Sequence, residues 1–280
     1  MKLAFAGKGG VGKTSVTAWT ADWLARNGRD VWMVDADTAL SLGQACGVAA
    51  DSLPEPLTAR KDLINRLIHA GGFLDLNPDV SDLPHQLAVD VPVSGGPLYA
   101  PAAGRKRLLV MGAVTNAGGG CACDANALLK AMLAHLVMKE NTCVLVDLEA
   151  GVEHLGRGTV AHVDALVVVS EPSLRSLHTA AQVGRMADQL GLRRQALLLN
   201  RYSGADLHDV SGLPDLPGLP PLRAALPPLA GLIERQLHTA DVLGLPEQQL
   251  VDTTLQRLME HLGLDVCLKV CPNGCPNVCP

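Results

Sequence analysis

Short, uninterrupted apolar runs alternate along this chain with longer stretches in which apolar residues recur at helical spacing. The short runs are Leu3–Ala6, Val31–Val34, Leu108–Met111, Cys143–Val146, Ala165–Val169 and Ala196–Leu199, and each reads as a strand. Strands that are apolar throughout, rather than at every second position, are buried on both faces. Helical spacing follows the first run as far as Arg26, where Asn27-Gly28 stops it. It returns in Leu57–Ala70, which closes on Gly71-Gly72, and in Ala125–Met138, Ser173–Leu190, Leu229–Asp241 and Glu247–Leu262. Strands joined by helices predict an α/β fold, a doubly wound and mainly parallel sheet with helices on both faces. Two stretches break the pattern. Phe73–Gly104 is rich in Pro, Gly and Asp and is expected to hold little regular structure. Leu213–Pro228 carries six of the 18 prolines and reads as a rigid, irregular connector. One domain, residues 1–265, accounts for nearly everything. Residues 266–280 form a separate Cys/Pro-rich tail, because three Cys-Pro pairs between Val270 and Pro280 forbid a helix.

Composition narrows the function. With 48% apolar residues, 280 positions are ample for a packed core. A net charge of −5 and only two Phe, two Tyr and three Trp argue against nucleic acid as a partner, since basic surface and stacking platforms are both scarce. No apolar run approaches the ~20 residues of a membrane span. The apolar start also stops at Ala6 and enters a Gly/Lys loop, so neither a signal peptide nor a membrane partner is expected. Eight cysteines raise the question of disulfides, but a chain of this length has no need of them. The reading is a cytoplasmic protein with reduced thiols. Metal or redox chemistry then explains the clustered cysteines, while Cys46 and Cys143 read as small buried hydrophobes.

Gly7-Lys8-Gly9-Gly10-Val11-Gly12-Lys13-Thr14 lies between the first strand and its helix and satisfies Gly-x4-Gly-Lys-Thr, the phosphate-binding P-loop. Glycines let backbone amides turn inward around phosphate oxygens, and the helix N-terminus adds its positive end. In that pattern Lys13 neutralises phosphate charge and the Thr14 hydroxyl holds Mg²⁺, with Gly9, Gly10, Val11, Gly12 and Ser15 completing the ATP/ADP-binding set. Acidic residues follow two other strands. Val34-Asp35-Ala36-Asp37 places two carboxylates just beyond the second, and Asp147 ends the strand that contains Leu145-Val146, placed to bind Mg²⁺ through water. Lys8 is not needed to hold the nucleotide of its own chain.

Lys-Gly-Gly-Val-Gly-Lys-Thr resembles the deviant Walker A loop of the MinD/ParA and nitrogenase iron-protein class. The resemblance implies an ATPase in which Lys8 reaches across an ATP-sandwiched homodimer to the partner's phosphates and supplies charge to the transition state. It also implies that Asp37 orients or deprotonates the attacking water, with Asp35 close to Mg²⁺. Asp147-Leu148-Glu149-Ala150-Gly151 resembles switch II, in which the Gly151 amide senses the γ-phosphate. Asn200-Arg201, at the end of a later strand, falls where the class uses an asparagine on the adenine edge.

A second motif is more specific. Three glycines lead into Cys121-Ala122-Cys123, Asp124 can cap the following helix, and a helix N-terminus lowers thiol pKa. Two thiolates one residue apart supply half a tetrahedral site, which a symmetric dimer contact would complete with its own copy. The P-loop, this Cys-x-Cys before an Ala-Leu-Leu helix, and Asp147–Gly158 occur in one order that resembles the CooC-type accessory ATPases of carbon monoxide dehydrogenase. That resemblance, from about Met1 to Leu262, implies a homodimer that assists nickel insertion into the carbon monoxide dehydrogenase cluster, with Cys121 and Cys123 at the dimer metal site. Zn²⁺ suits four thiolates at least as well as Ni²⁺. Thr38 departs from the proline that many relatives carry, and Glu153 and His154 are possible extra ligands. Two alternatives remain open at this point. One is an iron–sulfur cluster carrier, for which Cys-x-x-Cys is the commoner motif. The other is a MinD-like membrane-cycling switch, which needs a basic amphipathic helix where Glu247–Leu262 is largely acidic. Cys267, Cys271, Cys275 and Cys279 recur every four residues and are open to three readings: capture or transfer of a soft metal, an ordered β-turn cap, or a solvated tail without a role.

Overall fold

The computed structural model describes residues 1–37, 39–68, 83–94, 103–112, 131–132, 142–148, 163–204 and 212–264. Within them the strands are β1 (Lys2–Ala6), β2 (Asp30–Ala36), β3 (Val89–Val91), β4 (Lys106–Val110), β5 (Thr142–Leu148), β6 (Ala165–Ser170), β7 (Gln195–Leu199) and β8 (Leu222–Ala225). The helices, numbered over the same residues, are α1 (Lys13–Arg26), α2 (Leu42–Ala45), α3 (Lys61–Ile68), α4 (Leu83–Leu87), α5 (Leu174–Gln189), α6 (Ala230–Gln236) and α7 (Gln248–His261).

The strands form one sheet in the order β3-β4-β2-β5-β1-β6-β7-β8, parallel except for the antiparallel β3–β4 pair. Every residue of β1 and β6 is buried, as their unbroken apolar sequence requires. One apolar cluster joins α1 and α7 to one face of the sheet, and a second joins α5 to the other. The chain moves one way from β1, to β2 and β4, and the other way to β6, β7 and β8. The crevice beyond the carboxyl end of β1 is therefore the switch point where such sheets bind ligands.

Four stretches differ from the sequence reading. Phe73–Gly104 contains α4 and β3, and β3 pairs along β4 as an edge strand. Leu213–Pro228 contains β8: its prolines flank Leu222–Ala225, so the strand between them keeps the donors that pair it with β7. Leu57–Ala70 splits into a 3₁₀ turn at Leu57–Ala59 and α3, and Leu229–Asp241 is helical only over α6. The apolar stripe of α7 (Val251, Leu255, Leu258, Met259) is buried in the core cluster with α1. Among the described residues no helix is long and apolar enough to cross a membrane.

At the base of the sheet, α1 ends in a network of charges. Lys106 Nζ donates to Asp22 Oδ1 at 2.6 Å with both side chains buried. Arg26 bonds Asp22 at 2.9 Å and grips Asp252 of α7 with two further bonds of 2.7 and 2.8 Å. The Ser94 backbone N–H adds a 2.9 Å bond to Asp22. Trp19 Nε1 donates to the Val242 carbonyl at 2.7 Å, a second tie to the segment that enters α7. Cys46 and Cys143 are buried, and burial pushes the Cys46 thiol up to about 12. That environment suits packing rather than reactivity.

Candidate functional site

The loop from Gly7 to Gly12 turns the chain sharply from β1 into α1. Gly7 has φ +150°, and a Cβ there would stand 2.1 Å from the Val169 carbonyl oxygen of β6, so only glycine fits. Gly12 enters the helix at φ +96°, with Asn200 Nδ2 2.4 Å from where a Cβ would be. The Gly9 and Gly10 positions are exposed, with open space around them. Lys8 is half-buried beside them, and no ion pair engages it among the described residues.

Five sequence-predicted side chains meet at the carboxyl ends of β1, β2 and β5. Thr14 Oγ1 donates to Asp147 Oδ2 at 2.7 Å. Lys13, only 6% exposed, lies 3.4 Å from Asp37 Oδ2. Asp35 and Asp147 are fully buried and sit opposite one another in the β2–β5 register. Asp35 Oδ2 accepts from the Leu42 backbone N–H at 3.0 Å, so this carboxylate anchors the start of α2. Asp37 Oδ1 accepts from the Ala39 N–H at 3.0 Å.

Burial dominates the electrostatics. It raises Asp147 to about 7, helped by the nearby charges of Asp35 and Asp37 and opposed by the Thr14 bond and by Lys13. Asp35 is raised to about 6 by burial, against two backbone hydrogen bonds. Three carboxylates thus converge beside Lys13 at the mouth of the loop. That set of oxygen donors, with the Thr14 hydroxyl held against Asp147, fits a hard divalent cation such as Mg²⁺. Among the described residues no group of three or more His, Cys, Asp or Glu is arranged to hold a metal. A cation here would take most of its ligands from phosphate and water, as Mg²⁺ does beside a P-loop.

On the other flank, Asn200 and Arg201 follow β7 and turn toward the loop. Asn200 Nδ2 donates to the Val11 carbonyl at 2.8 Å, and its Oδ1 accepts from the Arg201 N–H at 3.1 Å. Arg201, in left-handed backbone at φ +61°, donates to the Gly10 carbonyl at 3.1 Å and pairs with Glu171 at the end of β6.

Sequence reasoning missed Ser41, whose Oγ lies 3.5 Å from Thr14 Oγ1, and it missed Glu171. A serine just before a short helix is a signal for the first. Nothing local marks the second. Cys121, Cys123, Gly151, Glu153, His154, Thr38 and the tail cysteines lie outside the described residues.

Residues 3–218 match the CobQ/CobB/MinD/ParA nucleotide-binding domain family. The chain is 41% identical over 209 residues to the carbon monoxide dehydrogenase accessory protein CooC of Rhodospirillum rubrum, covering 72% of this chain and 75% of that one. It is 35% identical to an uncharacterised ATP-binding protein of Methanocaldococcus jannaschii, over 74% of this chain and 77% of the relative. Among solved structures, the fold is similar to the MinC:MinD cell division complex of Aquifex aeolicus (TM-score 0.62, 19% identity, 92% and 95% covered). It is also similar to a ParA family ATPase of Chlorobium tepidum (TM-score 0.60, 18% identity, 91% and 95% covered).

Proposed function

Because this chain belongs to the CobQ/CobB/MinD/ParA family of nucleotide-binding domains, as a P-loop ATPase of the CooC type, we propose that it is an accessory ATPase of carbon monoxide dehydrogenase. Its task in this reading is to assist nickel insertion into the client's active-site cluster. The observation that carries the ATPase chemistry is the meeting of Lys13, Thr14, Asp37 and Asp147 at one end of β1. The reading of the client rests on the 41% identity to CooC.

The reaction is ATP plus water to ADP and phosphate. Backbone amides from Gly9 to Thr14, at the positive end of α1, bind the phosphate chain. Lys13 neutralises charge on the terminal phosphates. The Thr14 hydroxyl and Asp147 would hold Mg²⁺, which when bound would screen the phosphate oxygens. Asp37, held 3.4 Å from Lys13, orients the attacking water or takes its proton. Asp35 ties α2 to this centre, the Gly151 amide senses the γ-phosphate, and Lys8 from each protomer reaches the partner's nucleotide in a homodimer.

Nickel is cargo in this scheme. Cys121 and Cys123 of two protomers bring four thiolates together when the ATP sandwich closes, and they part when it opens. Zn²⁺ competes for the same sulfurs.

Metal analysis and sizing of the wild type against the Cys121→Ser/Cys123→Ser variant, with and without MgATP, test the reading. The variant is expected to lose one metal per dimer and metal-linked dimerisation while binding ATP as before. Unchanged metal content would overturn the cysteine site. A brown wild-type protein with visible charge-transfer absorption after anaerobic reconstitution would replace nickel with an iron–sulfur cluster.

A further inference from the structure

The end of β7 grips the backbone of the P-loop rather than stopping short of it, and the end of β6 supports that grip through Glu171. Asn200 Nδ2 holds the Val11 carbonyl at 2.8 Å, and Arg201 holds the Gly10 carbonyl at 3.1 Å. A trans peptide unit is planar and its C=O and N–H point in opposite directions. A carbonyl drawn toward β7 therefore turns the next residue's N–H the other way, to the concave side of the loop. By this geometry Asn200 aims the Gly12 amide and Arg201 aims the Val11 amide. The Val11 N–H makes a contact to the Lys8 carbonyl at 3.4 Å, longer than an ordinary hydrogen bond, so it has little to lose by turning to a ligand.

Arg201 is itself held from both ends. Its backbone is fixed in the left-handed region by the Asn200 side chain, and its guanidinium is shared between the Gly10 carbonyl and Glu171. Glu171 is fixed in turn, since its N–H donates to Ser176 Oγ at 3.2 Å and Ser176 is buried in the first turn of α5. A chain of contacts thus runs from α5 through Glu171 and Arg201 to Gly10.

We propose that Glu171 is a positioning residue for phosphate binding, acting through Arg201, and that Asn200 and Arg201 aim P-loop amides whatever base the nucleotide carries. This rests on the ATPase reading and goes beyond the adenine-edge role that the family resemblance implies for Asn200. The two roles separate by ligand. A residue that aims amides affects every ligand bearing phosphates, whereas a residue that reads the base affects the choice between bases.

The test compares the wild type with Glu171→Gln and Arg201→Ala, using magnesium pyrophosphate, MgATP and MgGTP as ligands and thermal unfolding to check the fold. Both variants are expected to bind all three ligands more weakly by one common factor, about three- to tenfold, with KM for ATP rising and kcat within twofold of wild type. Since the Glu171–Arg201 pair is partly exposed, raising the salt to 1 M, which weakens pyrophosphate binding in both proteins by screening the ligand, should also narrow the gap between wild type and Glu171→Gln. Unchanged pyrophosphate binding in Glu171→Gln would overturn the proposal, as would a change confined to the ATP-to-GTP ratio. If either variant unfolds early, Glu171→Asp must restore pyrophosphate affinity at least in part, and failure to do so also counts against the proposal. A wild type that binds none of the three ligands would instead defeat the ATPase reading on which this rests.

Discussion

Helix α1 carries a buried charge cluster at each end, and the two are built on opposite principles. At its base, Asp22 and Asp252 face Lys106 and Arg26, charge against charge, with bonds of 2.6 to 2.9 Å. Asp22 is held below the usual carboxylate range: burial opposes ionisation, and Lys106 with Ser94 outweighs it. At the start of the helix, Asp35, Asp37 and Asp147 converge where the described ion pair offers Lys13 alone, and burial pushes Asp35 to about 6 and Asp147 to about 7. The base cluster is satisfied within the chain. At the phosphate end the carboxylates sit where the P-loop chemistry calls for a cation and phosphate. The base network fixes how α1 sits on β4 and α7, while carboxylates whose protons are held by burial are the kind found where a ligand binds.

Exchanging a cation at each end gives the largest contrast. Lys13→Ala is expected to lower ATP hydrolysis by about a thousandfold or more, with the nucleotide-free protein unfolding within about 1 kcal/mol of wild type. Lys106→Met is expected to do the reverse, destabilising by about 3 kcal/mol because Asp22 loses its buried lysine partner. Steady-state hydrolysis and denaturant unfolding of both variants check this, and equal loss of stability in the two would erase the distinction.

A titration sharpens it. Asp35 and Asp147 bind protons more tightly folded than unfolded, so their contribution falls as pH rises from about 4 to about 7 in nucleotide-free, metal-free protein. Asp22 is shifted the other way, so its contribution is complete above about 4 and is lost as pH falls through its lowered folded value. Unfolding temperature followed from pH 3 to 8 in a chelator is therefore expected to pass through a maximum. Asp147→Asn flattens the neutral limb and leaves the acid limb in place. A curve still rising between pH 4 and 7 would contradict the assignment.

The smallest effect concerns the edge of the base cluster. Asp252→Asn weakens a partly exposed bidentate pair and is expected to cost about 1 kcal/mol, less at high salt. Denaturant midpoints at two ionic strengths measure it.

What the sequence made legible follows from how far each signal reaches. The P-loop, with Asp35, Asp37 and Asp147 at strand ends, is local chemistry on buried strands, and the fold brings those residues together as their positions suggested. β8 was hidden because its prolines read as a connector, although the pairing that makes Leu222–Ala225 a strand comes from β7. β3 was hidden in the same way, since three residues gain strand character only along β4. Asn200 was visible as a strand-end asparagine, but its bond to Val11 spans 189 positions and no local pattern reports it. Glu171 carries no motif at all. Its role exists only because β6 and β7 end side by side, at Ser170 opposite Leu199.

The glycines of the P-loop show how such a motif constrains mutation. Gly7 lies 2.1 Å, measured from where its Cβ would be, from a neighbouring strand's carbonyl, so its constraint belongs to the folded chain and persists in the absence of any nucleotide. Gly9 meets nothing within 4 Å, and nothing in the protein itself opposes a methyl group there. Selection on folding alone would therefore preserve Gly7 and let Gly9 drift, and only selection on ligand occupancy keeps both. A copy of this fold that has abandoned its nucleotide would show it first at Gly9.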